Sequence, residues 1–262
     1  MFNLMIILLS TINSEPINSN NYKIAKYIIE HIQELEDCTI SELAKNCYVS
    51  NSSVSRFCRD IGLEDFNDLR MQVAKAPLAY KDARNKFEFK EFSDDFYSSY
   101  ILSVTENLKH AFKAQEIQSQ IESLVADLHH YKKVAAFGYM QSENIALHLQ
   151  YDLQTSGKPV FTSIKFANQV EYIKEAGEDT LIIIFSDSGT YFDRVFSRTH
   201  PYKHTTKKPK ICMITSNRDI RLSYVDQYIY YNSRKDYASH PYPLMMIADM
   251  ICIQYAKSCH AN

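Results

Sequence analysis

A chain of 262 residues is long enough for two domains, each with its own core. With 45% apolar residues, 23% charged residues and a net charge of -2, it carries no broad basic field, and no apolar run approaches a membrane span. The 6 cysteines, Cys38, Cys47, Cys58, Cys212, Cys252 and Cys259, show no CxxC pair and no metal-ligand spacing with histidine, which predicts reduced core thiols, a cytoplasmic protein, no metal and no cofactor.

The opening MFNLMIILLS has no basic residue before Lys23 and reads as a first helix rather than a signal peptide. Asn20 or Asn21 can cap the next helix, in which Ile24, Tyr27, Ile28, Ile32 and Leu35 recur at three- and four-residue spacing. From Thr39 to Ile61 the apolar positions fall where a helix-turn-helix needs them. Leu43, Cys47, Val49, Val54 and Phe57 form the small core, with Ala44 at the close contact. Thr39 is an N-cap with Glu42 three residues on, a capping box, and Ser50 can cap the second helix.

The second helix of such a motif presents its N-terminal residues to base edges in the major groove. Here these are Asn51, Ser52, Ser53 and Ser55, followed by Arg56 and Arg59. Amide and hydroxyls can donate to bases or phosphates, and an arginine can take guanine or clamp a phosphate. Tyr48 stands where the turn usually has glycine, at a cost of about 1 kcal/mol. Residues 1–76 hold more acidic than basic side chains, so affinity must come from a few placed cations on two copies. That predicts a homodimer on a palindromic stretch of double-stranded DNA.

Phe66, Leu69, Met71 and Val73 suggest a further helix, ended by Pro77. The expected organisation is a DNA-binding domain over 1–76, a linker over 77–93, with a continuous helix over Leu78 to Phe87 as the alternative, and a second domain over 94–262. The second opens with two helices. Apolar β-rich runs then appear at Val134 to Phe137, Val160 to Thr162, Leu181 to Phe185, Ile211 to Thr215 and Tyr228 to Tyr231. Helical stretches at Glu143 to Thr155, Phe166 to Ala176 and Phe192 to Arg198 lie between them. The fold class is thus an all-α helix-turn-helix domain followed by an α/β domain with a parallel sheet flanked by helices.

Ligands of such sheets sit at the carboxyl ends of the strands. The run LIIIF empties into Ser186, Asp187, Ser188, Gly189 and Thr190, where backbone amides and hydroxyls can cradle an anion without a lysine. The first strand ends at Gly138, and Ser142 opens the next helix toward the same crevice; the fourth run ends in ITSN at 214–217.

These segments resemble a known family. Residues 16 to 75, with KIAKYIIEH, ISELA and VSRFCRDIGLEDFNDLR, look like the N-terminal domain of the RpiR family of bacterial transcriptional regulators. Residues from about 95 to 259 look like its sugar isomerase (SIS) domain, which there binds a phosphosugar rather than converting one. The resemblance implies a regulator of sugar metabolism, not an enzyme, in which Ser142, Ser186, Ser188 and Gly189 hold the phosphate. Met140 replaces the second glycine of the usual GxGxS loop, and Tyr191 stands at the threonine position of SxSGxT, with Thr190 one place early. Both side chains crowd the expected phosphate site. Two alternatives follow: a regulator with a ligand-free SIS domain, or a phosphosugar isomerase using Glu143, Glu171 or His240 as the proton-moving group.

Overall fold

The computed structural model describes residues 4–84, 95–113, 116–196, 202, 207–236 and 238–260, with the backbone alone at 76–84 and 194. The chain divides into two compact units, one carrying the first five helices and the other the sheet.

In the first unit α1 (Leu4–Ser14), α2 (Asn20–Glu30), α3 (Ile40–Asn46), α4 (Asn51–Asp60) and α5 (Phe66–Arg84) enclose one core. Leu8, Ile24, Ile28, Leu43, Ala44, Val54, Phe57 and Leu69 are buried in it, Val49 packs at its edge, and Met71 faces solvent. Local chemistry sets the helix ends. Thr39 Oγ1 accepts from the Glu42 amide at 3.2 Å while Glu42 accepts from the Thr39 amide at 2.8 Å, completing the capping box. Ser50 Oγ accepts from the Ser53 amide at 3.1 Å and starts α4.

Two expectations are corrected here. Ser19, not Asn20 or Asn21, caps α2, accepting from the Tyr22 amide at 3.1 Å. The asparagines lie inside the first turn, and their amides cross to Ser53 and Asp60 of α4 instead. Helix α5 also runs through Pro77 to Arg84, into the stretch expected as linker. A proline forgoes only its own bond to the preceding turn, so a helix can pass it with a local bend. The expected linker residues 85–93 lie outside the described residues.

The second unit begins with α6 (Phe96–Ala111) and α7 (Glu116–His130). Its sheet holds β1 (Lys133–Phe137), β2 (Thr180–Phe185), β3 (Lys210–Thr215) and β4 (Gln227–Tyr230), all parallel in that order. Between them stand α8 (Gln141–Thr155), α9 (Phe166–Glu175) and α10 (Tyr191–Val195), and α11 (Tyr242–His260) closes the chain. Strand β2 is buried along its whole length, as a strand covered on both faces must be. Alternate strand residues, among them Val134, Leu181, Ile183, Cys212 and Ile229, share a core with α7, α8 and α11. Phe137 points to the opposite face, its ring 5.7 Å from that of Tyr172 on α9.

The strand expected at Val160 to Thr162 reduces to one parallel bridge, Phe161 beside Ala135. Pro159 has no N–H to extend the ladder. The bridge still fixes the topology: the chain leaves β1, visits the outer edge at Phe161 and returns past β1 to β2. The crossover direction therefore reverses between β1 and β2, which is where open α/β sheets bind ligands.

Candidate functional site

The first site is the exposed face of α4. At 100° per residue, Ser52, Ser55, Arg56 and Arg59 lie opposite the buried Val54, Phe57 and Cys58. Ser52, Arg56 and Arg59 make no hydrogen bond or ion pair among the described residues, so this stripe is unoccupied by the protein itself. Asn51 and Ser53, on the flanks, are engaged internally. Asn51 Nδ2 donates to Ser41 Oγ on α3 at 3.1 Å, and Ser53 Oγ receives Asn20 Nδ2 at 3.2 Å and lies 3.0 Å from Ser50 Oγ. Of the six residues expected to read DNA, these two brace the motif. Tyr48 adopts φ 56°, the left-handed turn the sequence demanded, and its ring is 91% exposed beside the start of α4. The sequence marked Tyr48 only as a strained turn; its exposure adds a further contact group.

The second site lies at the carboxyl ends of β1 and β2. Gly138 admits the close approach of α8: a Cβ there would sit 2.4 Å from the carbonyl carbon of Ser142. Ser142 is buried at that helix start, and its hydroxyl has no hydrogen-bond partner among the described residues. In the facing loop, Gly189 takes φ 75° and its amide donates to the Ser186 carbonyl at 3.0 Å. Ser188 and Thr190 pair through their hydroxyls at 2.8 Å. The amides of Asp187, Ser188 and Thr190 have no acceptor among the described residues.

The loop is clamped from below. The Asp187 carbonyl accepts from Thr215 Oγ1 at 2.9 Å and the Ser216 amide at 3.1 Å; Tyr231 donates to its carboxylate, and Asn217 Nδ2 donates to the Ser188 carbonyl at 3.0 Å. The ITSN segment thus holds the loop rather than facing a ligand through every side chain.

Tyr191 and Glu143 complicate this crevice. The Tyr191 amide donates to Ser186 Oγ at 3.3 Å, and its buried hydroxyl donates to Gln169 Oε1 at 2.7 Å. Burial, and then the nearby Tyr139 and Glu143, raise its phenol well above the ordinary value, so the ring lies within reach of both loops. Glu143 is buried with Oε1 unpaired, and burial pushes its carboxyl up to about 7. Met140 is held at φ 53° and ψ -112°, a region glycine takes readily and other residues only under strain. Of the three groups considered for proton transfer, Glu143 is buried in the first turn of α8, Glu171 is exposed on α9, and the half-buried His240 precedes α11. The basic stretch from Lys203 to Lys210 is partly outside the described residues. Lys208 pairs with Asp226 at 2.6 Å and Lys210 with Asp127 at 2.6 Å, so both serve the fold.

Fold and sites together define the class: a helix-turn-helix unit followed by a parallel α/β unit with a polar switch point. Residues 7–79 match the helix-turn-helix domain of the rpiR family. An uncharacterised helix-turn-helix-type transcriptional regulator of Caldanaerobacter subterraneus is 44% identical over 52 residues, 20% of this chain and 18% of that protein. The regulator HexR of Pseudomonas aeruginosa is 26% identical over 138 residues, 52% of this chain and 48% of that one. The matched part therefore spans from under a fifth to about half of these relatives. Among solved structures, the c3406 protein of E. coli CFT073 covers 62% of this chain and 89% of its own at 13% identity, with a TM-score of 0.53, and shares the fold of the α/β unit. Vibrio vulnificus NanR, complexed with ManNAc-6P, aligns over 98% of this chain and 92% of its own at 19% identity and a TM-score of 0.48. No described helix is long and apolar enough to cross a membrane.

Proposed function

We propose that this protein is a DNA-binding transcriptional regulator whose α/β unit senses a phosphorylated sugar. The observation that carries the proposal is the stripe of Ser52, Arg56 and Arg59 side chains on a capped second helix, without a hydrogen bond or ion pair among the described residues. The relatives that match the N-terminal unit are named transcriptional regulators, which supports the same reading. Arg56 and Arg59 supply the charge for phosphates or guanines, and Ser52 the adaptable donor. Asn51, Ser53 and Ser55 complete the DNA-facing set, the first two by holding the helix in place. Two copies are needed because each head carries few cations, so the operator is palindromic and the working species is a homodimer in the cytoplasm.

The effector site is the crevice lined by Gly138, Ser142, Ser186, Ser188, Gly189 and Thr190. A phosphate accepts from the unpaired amides of 187, 188 and 190, and Ser142 adds a hydroxyl. The chain does no catalysis in this reading; the relatives matched by its N-terminal unit are named transcriptional regulators. For the effector to regulate, it must bind the DNA-competent and incompetent arrangements unequally; a tenfold change in DNA affinity needs about 1.4 kcal/mol of such coupling.

A second reading has a specific observation behind it. Tyr191 and the unpaired Glu143 stand at the crevice, and an ionised carboxyl beside a phosphate opposes binding. In that case the protein regulates by dimerisation alone. Fluorescence anisotropy on DNA from around its own gene, at stated salt and with a panel of sugar phosphates, separates the two. Specific binding shifted by one phosphosugar supports the sensor; specific binding shifted by none supports the ligand-free regulator. Absence of sequence-specific binding to any DNA overturns both.

A further inference from the structure

Away from the crevice, His148 and Asp152 stand one turn apart on α8, and Asp249 faces them from α11, which packs along α8. His148 Nε2 donates to Asp249 Oδ1 at 2.7 Å and lies 3.4 Å from Asp152 Oδ2. One nitrogen and one oxygen from each aspartate lie within 4.8 Å of one another. Both carboxylates depend on this single imidazole, because neither has a lysine or arginine partner among the described residues. Even a protonated imidazole leaves one negative charge unbalanced. The two helices are rigid supports: Leu149 and Leu153 on α8 and Ala248 and Ile251 on α11 are fully buried beside the cluster.

We propose that His148, Asp152 and Asp249 form a binding site for a divalent transition-metal ion of the zinc class. Zinc bonds to imidazole nitrogen and carboxylate oxygen at about 2.0–2.2 Å, so neighbouring ligand atoms of a tetrahedral ion stand about 3.3 Å apart. The Nε2 to Asp152 spacing of 3.4 Å already meets that value, and the Nε2 to Asp249 contact of 2.7 Å must open by about 0.6 Å to reach it. The ion takes the place of the proton on Nε2, and the neutral imidazole keeps its proton on Nδ1. Three protein ligands leave a fourth position for water or an anion. Magnesium and calcium prefer six or more oxygens, so the imidazole selects against them. Bound metal would tie α8, whose first turn carries Ser142 and Glu143, to α11.

The test uses the full chain, stripped of metal and titrated with Co2+ and Zn2+. The expected result is one ion per chain, cobalt ligand-field bands without a thiolate charge-transfer band, and a raised thermal midpoint, because the folded arrangement alone presents the three ligands. Asp152→Asn and Asp249→Asn, each checked for native circular dichroism, should each weaken Co2+ at least about 10-fold, the loss that even an outer-shell partner can cause. His148→Gln provides a third variant should either fail to fold. The proposal is overturned by no binding, by undiminished binding in the folded variants, or by a thiolate spectrum that places the ion on cysteines. A Mg2+ response equal to that of Zn2+ also overturns it.

Discussion

The backbone of Ser142 occupies the space where Gly138 would carry a side chain: a Cβ would lie 2.4 Å from both the carbonyl carbon and the carbonyl oxygen of Ser142, and 2.7 Å from the Glu143 amide nitrogen. Nothing flexible stands there to yield, because the opposing atoms are the first turn of α8. Gly138→Ala should therefore destabilise the protein by about 3 kcal/mol, the upper range for overpacking, and displace Ser142 from the crevice. Urea denaturation measures the first effect. A loss under about 1 kcal/mol would show that α8 can slide away from β1 at little cost.

Met140 stores strain two residues further on. Its φ of 53° and ψ of -112° belong to a region that costs other residues about 1–3 kcal/mol. Met140→Gly relieves this, less about 0.5–1 kcal/mol for glycine's greater freedom when unfolded. The expected net gain is about 1 kcal/mol, read as a higher urea midpoint at unchanged slope. A lower midpoint would mean that the methionine side chain contributes more through packing than its backbone loses.

Glu143 gives stability a pH dependence with a definite sign. Burial raises its carboxyl in the folded protein to about 7 from 4.5. Between those values the native state holds a proton that the unfolded chain releases, so stability falls as pH rises through this window and levels off above it. After allowance for partial solvent access the fall is on the order of 2 kcal/mol. Glu143→Gln should flatten this slope in urea midpoints measured from acidic to neutral pH. An unchanged slope would assign the dependence to another group.

On α4 the residues proposed to contact DNA differ from the one that caps the helix. Arg56→Ala with Arg59→Ala should leave stability within about 0.5 kcal/mol, since neither side chain holds a hydrogen bond or ion pair among the described residues. The pair should lose operator affinity and lower the salt slope by about 1 for each phosphate contact removed. Ser50→Ala should behave oppositely, costing about 1 kcal/mol of stability through the lost N-cap. Operator affinity unchanged by the double arginine substitution would show that another surface reads DNA.

What was legible in the sequence was what repeats or pairs locally. The capping box of Thr39 and Glu42, the cap at Ser50 and the positive φ at Tyr48 involve residues within a few positions of one another. The buried set from Leu43 to Phe57 follows from helical spacing, and the four apolar strands from runs bounded by turns. Local pattern alone therefore separated an all-helical unit from a parallel α/β unit and placed the serine-glycine loop at a strand end.

Tertiary structure decided which side chains were left over to act. Asn20 reaches Ser53 on the expected reading helix, a contact between residues 33 apart. Tyr191 finds Gln169 on α9, and the single bridge at Phe161 sets the switch point beside it. His148 meets Asp249 across 101 residues. Local propensity is written in neighbouring residues, whereas the pairing of polar groups depends on how whole elements pack, and packing is settled by burial across the entire unit.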